Sequence, residues 1–271
     1  MTDTSLNATL AAYAERYERP EFIIGDPSWF MHQVRGDANR EAMAFVAAAL
    51  SYGSRAQFMP KVQTLLDASG GDIDAWVRSG AFEDPARSGD SALLPNDARC
   101  FYRLQTRAAM HAFLRALRDI LRRHGSLHSF VAAELRHATL APPRQRPESR
   151  DALAAITALA RHFAAAGSTG VIPKDATSAC KRVCMFLRWM VRTDSPVDLG
   201  LWADTIDRRA LIMPMDTHVV QQARRLGLLR TATTSMATAL ELTRAVAATF
   251  PDDPLRADFA LFGYGVDHPR R

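Results

Sequence analysis

An all-α fold is predicted for this chain, and three observations predict it. Apolar residues recur at spacings of three and four along most of the sequence, runs of β-branched alternation are missing, and Gly, Pro, Ser and Asp gather between the periodic segments. In 271 residues with 48% apolar content, this pattern calls for an irregular helical fold of about ten or more helices.

Taken in order, Ser5 is placed to cap LNATLAAYAERY. EAMAFVAAAL (41–50), FMPKVQTLLDA (58–68), the long segment from Asp97 to Arg123, LHSFVAAELRHA (127–138) and RDALAAITALARHFAAA (150–166) then carry helical stripes. Loops are expected at GAFEDPARSGDSALLP (80–95), ATLAPPRQRPES (138–149) and GSTGVIPKDATS (167–178). Thr177 or Ser178 is the expected cap of the helix carrying ACKRVCMFLRWMVR (179–192). Asp216 stands directly before the helical pattern of LIMPMDTHVVQQARRLGLL (211–229), and FGYG (262–265) reads as a helix end and turn. No internal repeat or long low-complexity tract interrupts the series.

Composition narrows the function classes. No apolar run reaches the roughly 18 residues that cross a bilayer, and the opening residues lack a basic-then-apolar leader, so a cytoplasmic protein without a membrane partner is expected. Three cysteines, Cys100, Cys180 and Cys184, supply neither a disulfide framework nor a four-cysteine metal site. Reduced thiols follow, with Cys180 and Cys184 as core lining or pocket wall. A balance of 34 basic against 29 acidic residues is compatible with nucleic acid without requiring it, so the placement of charge matters more than the sum.

Two helical stripes carry that charge. On a helical wheel Lys181, Arg188 and Arg192 lie within about 40° of one another, opposite Val183, Phe186, Leu187, Met190 and Val191, which predicts a basic outer face. Upstream, Arg103, Arg107, His111, Arg115, Arg118 and Arg122 follow three- and four-residue spacing along one helix. A solvated helix exterior accounts for such stripes, and so does contact with a phosphate backbone.

Lys181 and Asp216 have less ordinary positions. A lysine in the first turn of a helix faces the positive end of the dipole and has Arg182 beside it, which disfavours its charged form. That environment suits an amine that must be neutral to act as a nucleophile, although a long lysine also simply bends into water. Asp216 reads as an N-cap, and His218 as a first-turn neighbour with no second ligand at metal-binding spacing.

The run SACKRVCMFLRWMVR, then VDLGLW, LIMPMDTHVVQQARRLGLL and DPLRADFALFGYG, together with ALSYGSRAQF near residue 50, resembles a bacterial family described only as a domain of unknown function. That family is similar to the helix-hairpin-helix base-excision DNA glycosylases, above all the archaeal 8-oxoguanine glycosylases. The resemblance implies a two-lobed helical fold with the site in the groove between lobes. It makes Lys181, in ACKRV, the Schiff-base nucleophile and Asp216, in PMDTHV, its catalytic carboxylate. It also implies duplex DNA as partner, nucleoid association, and neither a metal nor another cofactor. Candidates for the base pocket or the wedge beside it are Tyr52, Arg55, Trp202 and His218, with Trp29, Phe30 and Trp189 as further aromatics. Candidates for the DNA backbone are Arg182, Arg188, Arg192, Arg103 and Arg107. The chain departs from those enzymes in lacking a Gly-x-Gly hairpin turn before Lys181, and Tyr52 and Arg55 remain alternatives for the wedge. A catalytically silent nucleic-acid-binding protein on the same scaffold is the competing expectation.

Overall fold

In chain order the helices are α1 (Asp3–Tyr17), α2 (Trp29–His32), α3 (Asp37–Leu50), α4 (Arg55–Ala68), α5 (Ile73–Ser79), α6 (Arg107–His124), α7 (Leu127–Thr139), α8 (Arg150–Ala165), α9 (Lys181–Val191), α10 (Thr217–Arg225), α11 (Met236–Ala247) and α12 (Arg256–Asp267). One antiparallel hairpin, β1 (Cys100–Tyr102) and β2 (Gln105–Thr106), precedes α6. The structure is a computed structural model and describes residues 3–84, 86, 93, 95–139, 149–168 and 170–269. Much of the loops expected at 80–95 and 138–149, and residue 169 of the third, lies outside the described residues. Within these limits the protein is mostly helical, as the periodicity predicts.

The chain divides into two compact units. A central unit takes its described residues from Gly25–Pro142 and Ala154–Asp175, and a terminal unit from Met1–Ile24, Pro143–Leu153 and Ala176–Arg271.

The central unit is organised on α3. Its sequence is apolar on every face, and every residue from Glu41 to Leu50 is buried. A run of alanines keeps this helix thin enough for α2, α4 and α5 to pack against it. Phe45 of α3 meets Phe113 of α6 and Phe163 of α8, with ring separations of 5.8, 5.3 and 5.4 Å around the triangle. The one acid in the run, Glu41, accepts hydrogen bonds from the amides of Leu127 (2.8 Å) and His128 (3.0 Å) at the start of α7. A buried carboxylate is tolerated there because free amides and the helix dipole both favour an anion.

The helix expected from Asp97 begins ten residues later, at Arg107. Thr106 caps it, its hydroxyl accepting from the Ala109 amide at 3.1 Å. The amides of Arg107 and Ala108 bond back to the carbonyls of Arg99 and Asp97, both at 2.9 Å. The preceding chain is therefore used, in extended form, to satisfy the first turn. Residues 100–106 form the hairpin, and Arg103 sits at its tip rather than on a helical stripe.

In the terminal unit α1 packs along α12. The FGYG segment, expected as a turn, lies inside α12. Its glycines are set by packing: a Cβ on Gly263 would come within 2.2 Å of the Tyr17 ring. Tyr17 donates to Asp267 at 2.7 Å, and Arg16 pairs with the same carboxylate at 2.6 Å, which fastens the two helices end to end.

Helix α9 is the buried axis of this unit, with every residue from Val183 to Val191 in the core. The expected basic outer face is absent. Arg188 and Arg192 are 3% and 1% exposed. The segment after α9 folds back over that side, where the amides of Leu199 and Trp202 each bond to α9 carbonyls at 2.7 Å. Arg192 reaches Asp253 (2.8 Å), Glu18 (2.7 Å) and Asp198, and Arg188 reaches Asp198 (3.2 Å) and Asp258. Neither guanidinium is available to a DNA backbone. The cap is also different from the one expected. Cys180 occupies the N-cap in a left-handed conformation (φ 46°, ψ 35°) without a side-chain capping bond. The backbones of Thr177 and Ser178 are used elsewhere, the Thr177 carbonyl accepting from the Met236 amide and Ser178 bridging to Ser235 beside the start of α11.

Candidate functional site

Two helix N-termini of the terminal unit bring the candidate pair together. Lys181 is the first residue of α9, and Asp216 is the N-cap of α10 in extended conformation (φ −126°, ψ −176°). A buried stretch, residues 210–215, leads into that cap, and within it the Met213 amide is tied to the Thr243 hydroxyl at 2.9 Å. The two carboxylate oxygens of Asp216 do different jobs. Oδ1 accepts from the amides of His218 and Val219, both at 2.9 Å, while Oδ2 accepts from Lys181 Nζ at 2.7 Å. Each side chain is 36% exposed, so the pair is sheltered on its protein side and open to solvent on the other.

Burial pushes the Asp216 carboxyl up, but the Lys181 ammonium, its hydrogen bond and the Val219 amide outweigh burial. They hold the group below the ordinary carboxylate range, with His218 acting in the same direction. Asp216 is therefore an anion at neutral pH and offsets the unfavourable dipole at the start of α9. Asp258 feels this pair too. Burial pushes its carboxyl above the ordinary range against the pull of Arg188 and Lys181, and the Asp216 charge adds to the rise. A line of alternating charges thus runs from the half-exposed pair into the core through Asp258, Arg188, Asp198 and Arg192. Position in the sequence alone did not flag Asp258, and only its contact with Arg188, 70 residues away, reveals it.

The remaining candidates separate by environment. Trp202 is fully buried and packs edge-on against Phe186 at 5.2 Å. Trp189 and Phe30 are likewise core. These three cannot stack on a base, whereas Trp29 is half-buried. His218 is exposed, with its ring laid against α12, where a Cβ on Gly265 would come within 2.5 Å of Nε2. Arg182 is half-buried in the first turn of α9. In the central unit, Tyr52 donates its hydroxyl to the Tyr102 carbonyl at 3.1 Å, and Tyr102 donates back to the Tyr52 carbonyl. Arg55, 48% exposed, pairs with Asp26 at 3.3 Å. Along α6 the stripe is mixed. Arg107 is half-buried and Arg122 exposed, His111 is buried against the Leu93 carbonyl (3.1 Å), and Arg115 and Arg118 share Glu83.

Cys180 and Cys184 are buried, and burial pushes the Cys184 thiol far up, so it is core lining rather than a nucleophile. Among the described residues no three His, Cys, Asp or Glu side chains gather as a metal-ligand set. No described helix is long and apolar enough to cross a membrane.

The model of a family described as proteins of unknown function (DUF2400) matches residues 26–267, most of the chain. The chain belongs to that family. The match takes in both members of the Lys181–Asp216 pair and Asp258. No curated protein and no solved structure matches the chain.

Proposed function

We propose that this DUF2400 protein is a DNA glycosylase/lyase-like enzyme that acts on oxidised or otherwise damaged bases, with Lys181 as nucleophile and Asp216 as its carboxylate. The observation that carries the reading is the 2.7 Å contact between Lys181 Nζ and Asp216 Oδ2, made by two residues that open separate helices and stay partly open to solvent. The resemblance to helix-hairpin-helix glycosylases adds to it. The described part of the segment before Lys181 departs from that motif, since residues 170–180 contain no helix.

In the resting state the amine is an ammonium ion paired with an anion. For catalysis the ammonium passes one proton, through Asp216, to the departing base. Its lone pair then forms the bond to C1′ as the glycosidic bond breaks, and that bond's electron pair leaves with the base. Asp216 stabilises the positive charge that develops on the sugar. Ring opening gives the Schiff base, and loss of a C2′ proton expels the 3′ phosphate by β-elimination. The target nucleotide must leave the duplex to reach the amine.

Borohydride trapping tests the reading, on duplexes carrying 8-oxoguanine, an oxidised pyrimidine or an abasic site. A covalent adduct is expected with the native protein and none with Lys181→Gln. Asp216→Asn should slow trapping by roughly 10²-fold or more, the range for loss of a positioned acid–base group. Absence of any adduct, or equal trapping by Lys181→Gln, overturns the mechanism. One observation favours a silent DNA-binding protein instead: the Lys181 amine is already engaged by the Asp216 carboxylate at 2.7 Å. Salt-sensitive duplex binding without turnover, unaffected by Asp216→Asn, would establish that alternative.

A further inference from the structure

The β1–β2 hairpin of the central unit has an apolar tip that the fold goes to some lengths to hold out. Leu104 is 90% exposed, the most exposed of the large hydrophobic residues described. It follows Arg103, whose backbone is left-handed (φ 52°) at the first of the two tip positions. Two-residue hairpin turns that need a positive φ there are normally built with Gly, Asn or Asp. An arginine in this backbone region is strained, and an adjacent bare leucine gains nothing for folding.

Several contacts support the tip from beneath. Tyr52 and Tyr102 exchange hydrogen bonds with each other's carbonyls, and their rings lie 4.8 Å apart. Gln105 is buried and closely faces Gly170, where a Cβ would come within 3.0 Å of its side-chain nitrogen. Gly53 leaves room for the Arg103 side chain, which lies with its guanidinium 6.0 Å from the Tyr52 ring centre. The basic residues at and beside the hairpin are Arg103 at the tip, Lys61 with its ammonium 5.4 Å from the Phe101 ring centre, and Arg107 at the start of α6, while Arg99 and Arg55 are paired with Asp97 and Asp26.

We propose that this hairpin is a duplex-DNA contact in which Leu104 enters between stacked bases while Arg103 and Lys61 hold the flanking phosphates. The inference rests on the nucleic-acid reading above and specifies which surface meets the duplex. An exposed apolar side chain beside basic residues suits a partner with an anionic exterior and an apolar, stacked interior. This placement also differs from the wedge sites expected from the sequence. Tyr52 is the platform under the hairpin rather than its tip, and Arg55 is held by Asp26.

The test uses the full-length protein and a duplex with 2-aminopurine placed 3′ to a tetrahydrofuran abasic-site analogue. Fluorescence of the 2-aminopurine reports unstacking, and anisotropy of a dye on the far end reports binding. Binding by the native protein should raise the 2-aminopurine signal. Leu104→Ser, an exposed change that leaves the core intact, should lose most of that rise at saturation, while Leu104→Phe keeps it. Binding without a rise, or an equal rise with Leu104→Ser, overturns the hairpin contact even if trapping succeeds. A protein that binds no duplex overturns this inference and the nucleic-acid reading together. If Leu104→Ser instead abolishes self-association, the tip meets a second copy and the proposal fails. A normal rise without trapping supports the hairpin and removes only the chemistry.

Discussion

Helix α9 carries the same kind of charge at its two ends and uses it in opposite ways. At the start, Lys181 meets one carboxylate and both partners remain about one-third exposed. At the end, Arg192 meets Glu18, Asp198 and Asp253 and is 1% exposed. On a helical wheel the residues are equivalent. Burial separates them: a planar guanidinium with five donors can satisfy several buried carboxylates at once, whereas a single ammonium at a half-open site keeps an exchangeable partner. The arginine end is closed into the core, and the lysine end is left open to solvent.

The strongest way to break this contrast is Arg192→Met. Removing the guanidinium takes from Asp253 its arginine partner and from Asp198 and Glu18 one of two arginines each, and a loss of about 3–5 kcal/mol is expected in urea denaturation. A loss below about 1 kcal/mol would mean that the buried ion-pair cluster does not hold the terminal unit together. Asp216→Ala should cost less, about 1–2 kcal/mol, because α10 loses its cap as well as the ion pair. Asp216→Asn retains a capping oxygen and should cost at most about 1 kcal/mol. A cost equal to that of alanine would show that the lysine contact, not the cap, dominates. Lys181→Gln is expected to change stability least, by no more than about 1 kcal/mol, while abolishing trapping. Large destabilisation by that variant would make Lys181 structural and erase the contrast.

Acid titration sharpens the same comparison because the carboxylates shift in different directions: Asp216 and Glu18 are lowered, whereas Asp198 and Asp258 are raised. Asp216 is depressed in the folded state, so its stabilising contribution is present above the unfolded value of about 3.9 and is lost as pH falls through the lower folded value. Asp198 and Asp258 are raised by burial in the folded state, which binds their protons more tightly than the unfolded chain does. Stability from these two falls as pH rises from about 3.9 through their higher folded values. Denaturation curves across pH 2–7 should therefore lose part of their acid-side slope in Asp216→Asn. Asp258→Asn should lose part of the decline above about pH 4. Identical profiles for the two variants would contradict the assigned environments.

The helical class and the helix-opening positions of Lys181 and Asp216 were accessible from local pattern, whereas their pairing was expected only from the resemblance to the glycosylases. Alanine-rich periodicity marks α3, and an aspartate directly before an amphipathic run is a capping signal that α10 obeys. Long-range complementarity was not accessible. The wheel placed Arg188 and Arg192 on an outer face because Glu18 and Asp253, 174 and 61 residues from Arg192, leave no periodic trace near α9. The hairpin escaped notice because Arg103 and Arg107 fall at helical spacing with His111 and Arg115. What starts that helix is a threonine cap and two carbonyl partners, features that hydrophobic period does not encode. In FGYG, glycine is required by the Tyr17 and His218 rings in contact with it, not by a turn.

The division of labour between the two oxygens of Asp216 has a mechanical consequence. With Oδ1 clamped by two backbone amides, the carboxylate has no rotational freedom left to lose. Under the proposed mechanism, when the lysine amine turns away to bond C1′, Oδ2 stays where it was, aimed at the vacated position. Whatever cation arrives there next finds its counter-charge already oriented, and no reorganisation of the protein is needed to receive it.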